Sequence, residues 1–180
     1  TGSNSRFLSK DIVTEFRGRG QDIHIYPLSF SEYYNATHGD FNNAWKEYYT
    51  FGGLPQTLLL KENKEKIDYL RHLADSVYIN DVIERHRVKN RPELEELLRI
   101  IASSIGSLCN PTKLSNTFKS LKNITISNKT INSYLNHFCD AFMIERAIRY
   151  NIKGKKYINT SSKYYFTDIG LRNALLDFRQ

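Results

Sequence analysis

Hydrophobic positions recur every three or four residues through most of this chain, and the period drops to two in a few short stretches. In "SKDIVTEFRGRG", Ser9 can cap a short helix that Gly18 and Gly20 end. "DIHIYPLSF" alternates Ile23 and Ile25 about His24, which predicts a short strand stopped by Pro27, with His24 on a strand face. Ser29 or Ser31 can cap a helix in "SFSEYYNA". "GDFNNAWKEYYTFGGLP" predicts another, with Phe41, Trp45 and Tyr48 or Tyr49 on one face and two glycines and a proline as its stop. From Lys64 onward, Ile67, Leu70, Leu73 and Val77 keep helical spacing toward Val82 and Ile83. "RVKNRP" is polar and charged, so it predicts a linker, with Pro92 in the first turn of a new helix.

Beyond the linker the pattern predicts three helices. The first buries Leu94, Leu97, Leu98, Ile101 and Ile105 and stops at Gly106. In the second, Asn110 caps, Pro111 follows, and Leu114, Phe118 and Leu121 point inward. In the third, Ser127 caps and Ile131, Tyr134, Leu135, Phe138 and Phe142 form the buried stripe. The period then changes to two. "MIERAIRYNIKGKKYI" predicts two strands around a turn at Gly154, "KYYF" a last strand, and "DIGLRNALL" a return to helix. Three helices followed by a hairpin is the element order of a winged helix-turn-helix.

Composition narrows the function classes. The 180 residues suffice for a packed core, and 40% hydrophobic with 13% aromatic residues excludes a disordered tail. No stretch of about 18 apolar residues occurs, and no signal-peptide pattern opens the chain, so a soluble, cytoplasmic protein without membrane association is expected. Cys109 and Cys139 form no metal-ligand spacing, so no metal site is expected and both read as buried thiols. The net charge of +7 is unevenly placed. Residues 1–90 carry 12 Lys/Arg against 12 Asp/Glu, and residues 91–180 carry 14 against 7. A neutral half followed by a basic half suggests a nucleic-acid-binding module.

Four motifs in order, "TGSNS", "EFRGRGQDIHIYPLSFSEYY", "YYTFGGLP" and "KYYFTDIGLRNALL", resemble a prokaryotic AAA+ family of predicted ATPases in the archaeal and signal-transducing branch of P-loop NTPases. The resemblance implies a mainly α fold with a small β-hairpin wing. Residues 1–30 would be a remnant of an α/β P-loop core, 31–88 a helical lid with a GxP turn, and 89–180 a winged helix-turn-helix. Thr1, Ser3 and Asn4 would sit at the sensor strand beside the γ-phosphate, Arg19 would meet nucleotide phosphate in catalysis, and Gly53 and Pro55 would shape the lid turn against the nucleotide. "TGSNSRF" would then be a severed sensor strand rather than a vector scar. ATP with magnesium, and an oligomer, would belong to the full-length parent. With no GxxxxGK[ST] and no Walker-B aspartate, this chain alone is expected to bind no cofactor and hydrolyse no ATP.

The winged-helix pattern places a second set of candidates. Asn128, Lys129, Asn132 and Asn136 lie opposite the buried stripe of the third helix, where amides and a lysine can donate to phosphates and base edges. Lys113 and Lys119 lie on the second helix, and Lys153, Lys155 and Lys156 at the hairpin tip. These residues point to duplex DNA as the partner. A stand-alone DNA-binding regulator and a winged helix that docks a protein are the alternative readings.

Overall fold

A computed structural model of the chain describes residues 23–148 and 161–178. The helix expected after Ser9, the turn at Gly154 and the strand expected to follow it lie outside these residues.

The fold is mainly helical with a small two-stranded antiparallel sheet. The strand expected around Ile23 and Ile25 does not form, and Ile25 is 86% exposed. Alternation stabilises a strand only when a neighbouring strand takes its backbone bonds. Here the chain is instead held by Leu28 N–H, which donates to the Gly53 carbonyl at 2.8 Å. His24 lies beside the rings of Tyr26 and Phe142, with centroids 4.0 and 4.4 Å away. Residues 23–30 therefore show no piece of an α/β core.

Helix α1 (Phe30–Thr37) begins at Ser29, whose side chain accepts from Glu32 N–H while the Glu32 carboxylate accepts from Ser29 N–H, a capping box. Asp40 caps α2 (Phe41–Phe51) by accepting from Asn43 N–H at 3.0 Å. Phe30 joins the two helices, its ring centroid 4.8 Å from Trp45 and 5.4 Å from Phe41. After the short α3 (Pro55–Leu59) comes one long helical run. It comprises α4 (Asn63–His72), a π-helical segment (Leu73–Ile79) and α5 (Asn80–His86).

The π segment corrects the expected inward face. Leu70 and Val82 are buried as expected, but Val77 is 46% exposed, and Ala74 and Ile79 are buried in its place. Wider i→i+5 turns add residues per turn, so the buried stripe steps by five from Ala74 to Ile79.

Arg87 ends α5 in the left-handed conformation, and residues 87–90 lead to α6 (Arg91–Ser103), with Pro92 in its first turn. Then follow α7 (Pro111–Lys122), α8 (Asn128–Asp140), β1 (Ile144–Ala147), β2 (Lys163–Phe166) and α9 (Ile169–Leu175). The expected caps Asn110 and Ser127 both accept a backbone N–H of their helix. β1 pairs antiparallel with "KYYF", Ile144 opposite Phe166 and Ala147 opposite Lys163. Cys109 and Ser162 add an antiparallel bridge beside this pair. Phe142 does not continue the α8 stripe. It is half-buried in the turn after the helix, at φ 55°.

The linker does not divide the core. Ile79 and Val82 pack with Leu94, Leu98, Phe118, Leu135 and Phe138, while Phe51, Leu70 and Ala74 pack with Leu171 and Ala174 of α9. Asn173 Nδ2 also donates to the Tyr49 and Thr50 carbonyls at 2.9 and 3.0 Å, satisfying two acceptors that the end of α2 leaves open.

Candidate nucleic-acid interface and the adjoining cleft

Helix α8 begins with Ser127 Oγ accepting from Thr130 N–H at 3.0 Å. With Ile131, Tyr134, Leu135 and Phe138 turned into the core, helical geometry sends the intervening positions outward. Asn128, Lys129, Asn132 and Asn136 are all exposed, as are Lys113 and Lys119 on α7. The structure thus brings these six sequence candidates onto exposed positions of two consecutive helices. Lys153, Lys155 and Lys156 lie outside the described residues, as do Thr1, Ser3, Asn4 and Arg19.

Two contacts fix α8 against α7. Asn128 Nδ2 donates to Thr112 Oγ1 at 3.1 Å, and Ser115 Oγ donates to the Ile126 carbonyl at 2.7 Å. Asn128 therefore positions the start of α8, while Lys129, Asn132 and Asn136 stand exposed along the same helix. Behind the helix, Thr167 Oγ1 donates to the Phe142 carbonyl at 2.7 Å, tying the turn after α8 to the end of β2, and Arg146 Nε donates to Ser162 Oγ at 2.8 Å within the sheet region.

One flank of α8 faces the end of α5 across a cleft of about 380 Å³. Lys129, Thr130, Ser133, Tyr134 and His137 line one side, and His86, Arg87, Val88, Lys89 and Asn90 the other. Sequence reading took residues 87–90 as a linker only. Their contribution of Arg87 and Lys89 beside Lys129 depends on the tertiary approach of α5 to α8. At the cleft the His86 and His137 rings stack with centroids 3.6 Å apart and planes inclined by 15°. Ser133 Oγ lies 3.0 Å from His137 Nε2. His86, His137 and Asp140 each bring one potential metal-ligand atom within 4.8 Å of the others. Spacing along the chain hid this group, because His86 is supplied by a different helix; the His-x-x-Asp pair on α8 was its one local signal.

Neither cysteine is fully buried. Both are half-buried, with burial raising the Cys139 thiol to about 11 and also raising Cys109 against the opposing pull of Arg146. Among the described residues no helix is long and apolar enough to cross a membrane.

Gly53 and Pro55 take part in an internal joint. Gly53 N–H donates to Asp168 Oδ2 at 2.7 Å, its carbonyl accepts from Leu28, and Pro55 opens α3. A Cβ on Gly53 would stand 2.1 Å from the Leu28 carbonyl oxygen, so the backbone approach that glycine permits is already filled by protein.

Residues 42–180 match a family described as a domain of unknown function (DUF8612). An uncharacterized protein of Haemophilus influenzae is 38% identical over 178 residues, covering 96% of this chain and 44% of that protein. An uncharacterized protein of Methanocaldococcus jannaschii is 30% identical over 190 residues, covering 99% of this chain and 42% of that protein. The chain thus spans less than half the length of these relatives. These findings correct the expected AAA+ ATPase fragment: the matching family is one of unknown function, and neither relative carries an ATPase description. The nucleotide roles of Thr1, Ser3, Asn4, Arg19, Gly53 and Pro55, and the ATP and magnesium of a parent ATPase, rested on that resemblance and have no other support.

Proposed function

The chain belongs to the family described as a domain of unknown function (DUF8612), and since membership prescribes no activity we propose from its geometry that residues 89–180 are a winged helix-turn-helix that binds duplex DNA through α8. The observation that carries this reading is the solvent face of α8. Lys129, Asn132 and Asn136 are exposed on a helix whose other side is anchored in the core, beside exposed Lys113 and Lys119 of the preceding helix. A rigid helix with amides and a lysine at its start is suited to a major groove, where asparagine reads adenine and lysine meets guanine or phosphate. The element order supports the fold assignment: α6, the bridging residue Cys109, α7, α8, then two antiparallel strands, with Ser162 at the head of the second strand paired to Cys109. The charge excess of the second half supports phosphate contact.

Fluorescence anisotropy with labelled duplexes tests the proposal. The 180-residue chain is expected to bind with an affinity that falls as salt rises, because each lysine–phosphate contact releases a counterion. Reversal of Lys113 and Lys129 to glutamate is expected to weaken binding without loss of helical content. Absence of duplex binding at low salt would overturn the DNA reading and leave the same face for protein docking.

A further inference from the structure

We infer that His86, His137 and Asp140 form a binding site for a borderline divalent transition-metal cation of the Zn²⁺ class, which clamps the end of α5 to α8. This inference does not depend on DNA binding. The three residues each place a potential ligand atom within 4.8 Å of the other two. His86 Nε2, His137 Nδ1 and Asp140 Oδ2 are all shut off from solvent. Two imidazoles and a carboxylate are a donor set that Zn²⁺ and its first-row neighbours accept and that hard ions such as Mg²⁺ and Ca²⁺ do not favour.

The surroundings fit the role. His137 and Asp140 are one turn apart on α8, so they project from the same side of the helix. Ser133 Oγ lies 3.0 Å from His137 Nε2; a serine oxygen that accepts there would leave the ring's lone pair on Nδ1, as a hydrogen-bonded outer partner does for a metal-ligating histidine. His86 and His137 also line the cleft, so a cation and its fourth ligand would reach the site past these two rings. Arg87, Lys89 and Lys129 at that cleft oppose a bare dication, so water ionised to hydroxide, or another small anion, suits the fourth position.

The geometry also says what binding does. Bonds of about 2.0–2.1 Å to a tetrahedral ion place ligand atoms roughly 3.3 Å apart. Separations of up to 4.8 Å must therefore shorten, which requires the stacked rings of His86 and His137 to turn and the Asp140 carboxylate to rotate toward them. The cation would hold together two elements that the linker otherwise joins only through residues 87–90 and the core.

The test is titration of the chelator-treated 180-residue chain with Zn²⁺ against a chromophoric competitor, with Co²⁺ as a spectroscopic probe. One Zn²⁺ per chain is expected, with a rise in Tm. The Co²⁺ complex is expected to lack a thiolate charge-transfer band. His86→Ala and Asp140→Asn are each expected to weaken binding at least about tenfold, and Ser133→Ala about tenfold through the ring it orients. His86 ends its helix and is only half-buried, so its variant should keep its fold, which circular dichroism verifies. No stoichiometric uptake by the wild-type chain, undiminished uptake in folded His86→Ala, or a thiolate band assigning the ion to Cys109 or Cys139 would each overturn the inference.

Discussion

Gly53 N–H donates to Asp168 Oδ2 at 2.7 Å, joining the turn after α2 to the cap of α9 across 115 residues of chain. Asp168 Oδ1 accepts from Leu171 N–H at 3.0 Å, so one carboxylate caps its own helix and holds a distant turn. The two segments meet backbone to backbone. A Cβ on Gly170 would lie 2.1 Å from the Phe51 carbonyl oxygen, and one on Gly52 would lie 2.2 Å from Asp168 Oδ1.

Asp168→Ala removes the cap and leaves the buried Gly53 N–H without its acceptor, so it is expected to lower stability by about 2–4 kcal/mol. Gly53→Ala forces the Leu28 carbonyl away and is expected to cost about 1–3 kcal/mol. Urea denaturation checks both. A cost near zero for Asp168→Ala would mean that α9 docks by apolar contact alone.

The same carboxyl sets a pH dependence. Burial raises Asp168 above its ordinary value, against the pull of the backbone N–H groups of Gly53, Leu171 and Gly170. An unfolded aspartate ionises near pH 4. Between that pH and the raised folded value, the folded chain holds a proton that the unfolded chain has lost. Stability from this group therefore falls as pH rises through the window and is level beyond it. Asp168→Asn, which cannot ionise, should remove this slope in urea melts from pH 4 to 7. A wild-type chain that instead gained stability over the variant in this range would show that the three donors outweigh burial.

On α8, Lys129 and Asn132 should fail differently if the helix reads DNA. Lys129→Ala is expected to weaken all duplexes alike and reduce the slope of log affinity against log salt by about 1. Asn132→Ala should leave that slope in place and cost about 1–3 kcal/mol on preferred sequences only. Anisotropy on a small panel of duplexes over a salt series separates them. A slope unchanged by Lys129→Ala would place the phosphate contacts elsewhere.

What was legible in the sequence was local. Ser29, Asn110 and Ser127 cap their helices because a short polar side chain reaches a backbone N–H within its own turn. The stripes of α6 and α8 followed from spacing as far as Ile101 and Phe138, whereas Ile105 and Phe142, expected to continue them, lie beyond the helix ends and are half-buried. The strand at Ile23 and Ile25 does not form; among the described residues no strand pairs with it, and alternation needs such a neighbour, which sequence cannot promise. The cleft was hidden because His86 and His137 meet only when α5 is packed on α8. The likeness to an ATPase lid at Gly53 rested on a glycine turn whose actual neighbours, Leu28 and Asp168, are set by tertiary packing.

The π segment offers the sharpest contrast between periodicity and packing. Helical spacing assigns Val77 to the buried face, yet it is 46% exposed, while Ile79 two residues on is 1% exposed within the main core. The i→i+5 turns shift the stripe, and a regular α-helix through Leu73–Ile79 would bring Val77 back toward the interior. Val77→Ala is accordingly expected to change stability by less than about 0.5 kcal/mol, as exposed substitutions do. Ile79→Ala is expected to cost about 2–5 kcal/mol, since the methyl groups removed leave a cavity among Val82, Leu94 and their neighbours. Denaturant midpoints of the two variants measure the difference directly. Equal losses, or a larger loss at Val77, would mean that the segment is an ordinary α-helix and that the simple spacing was right.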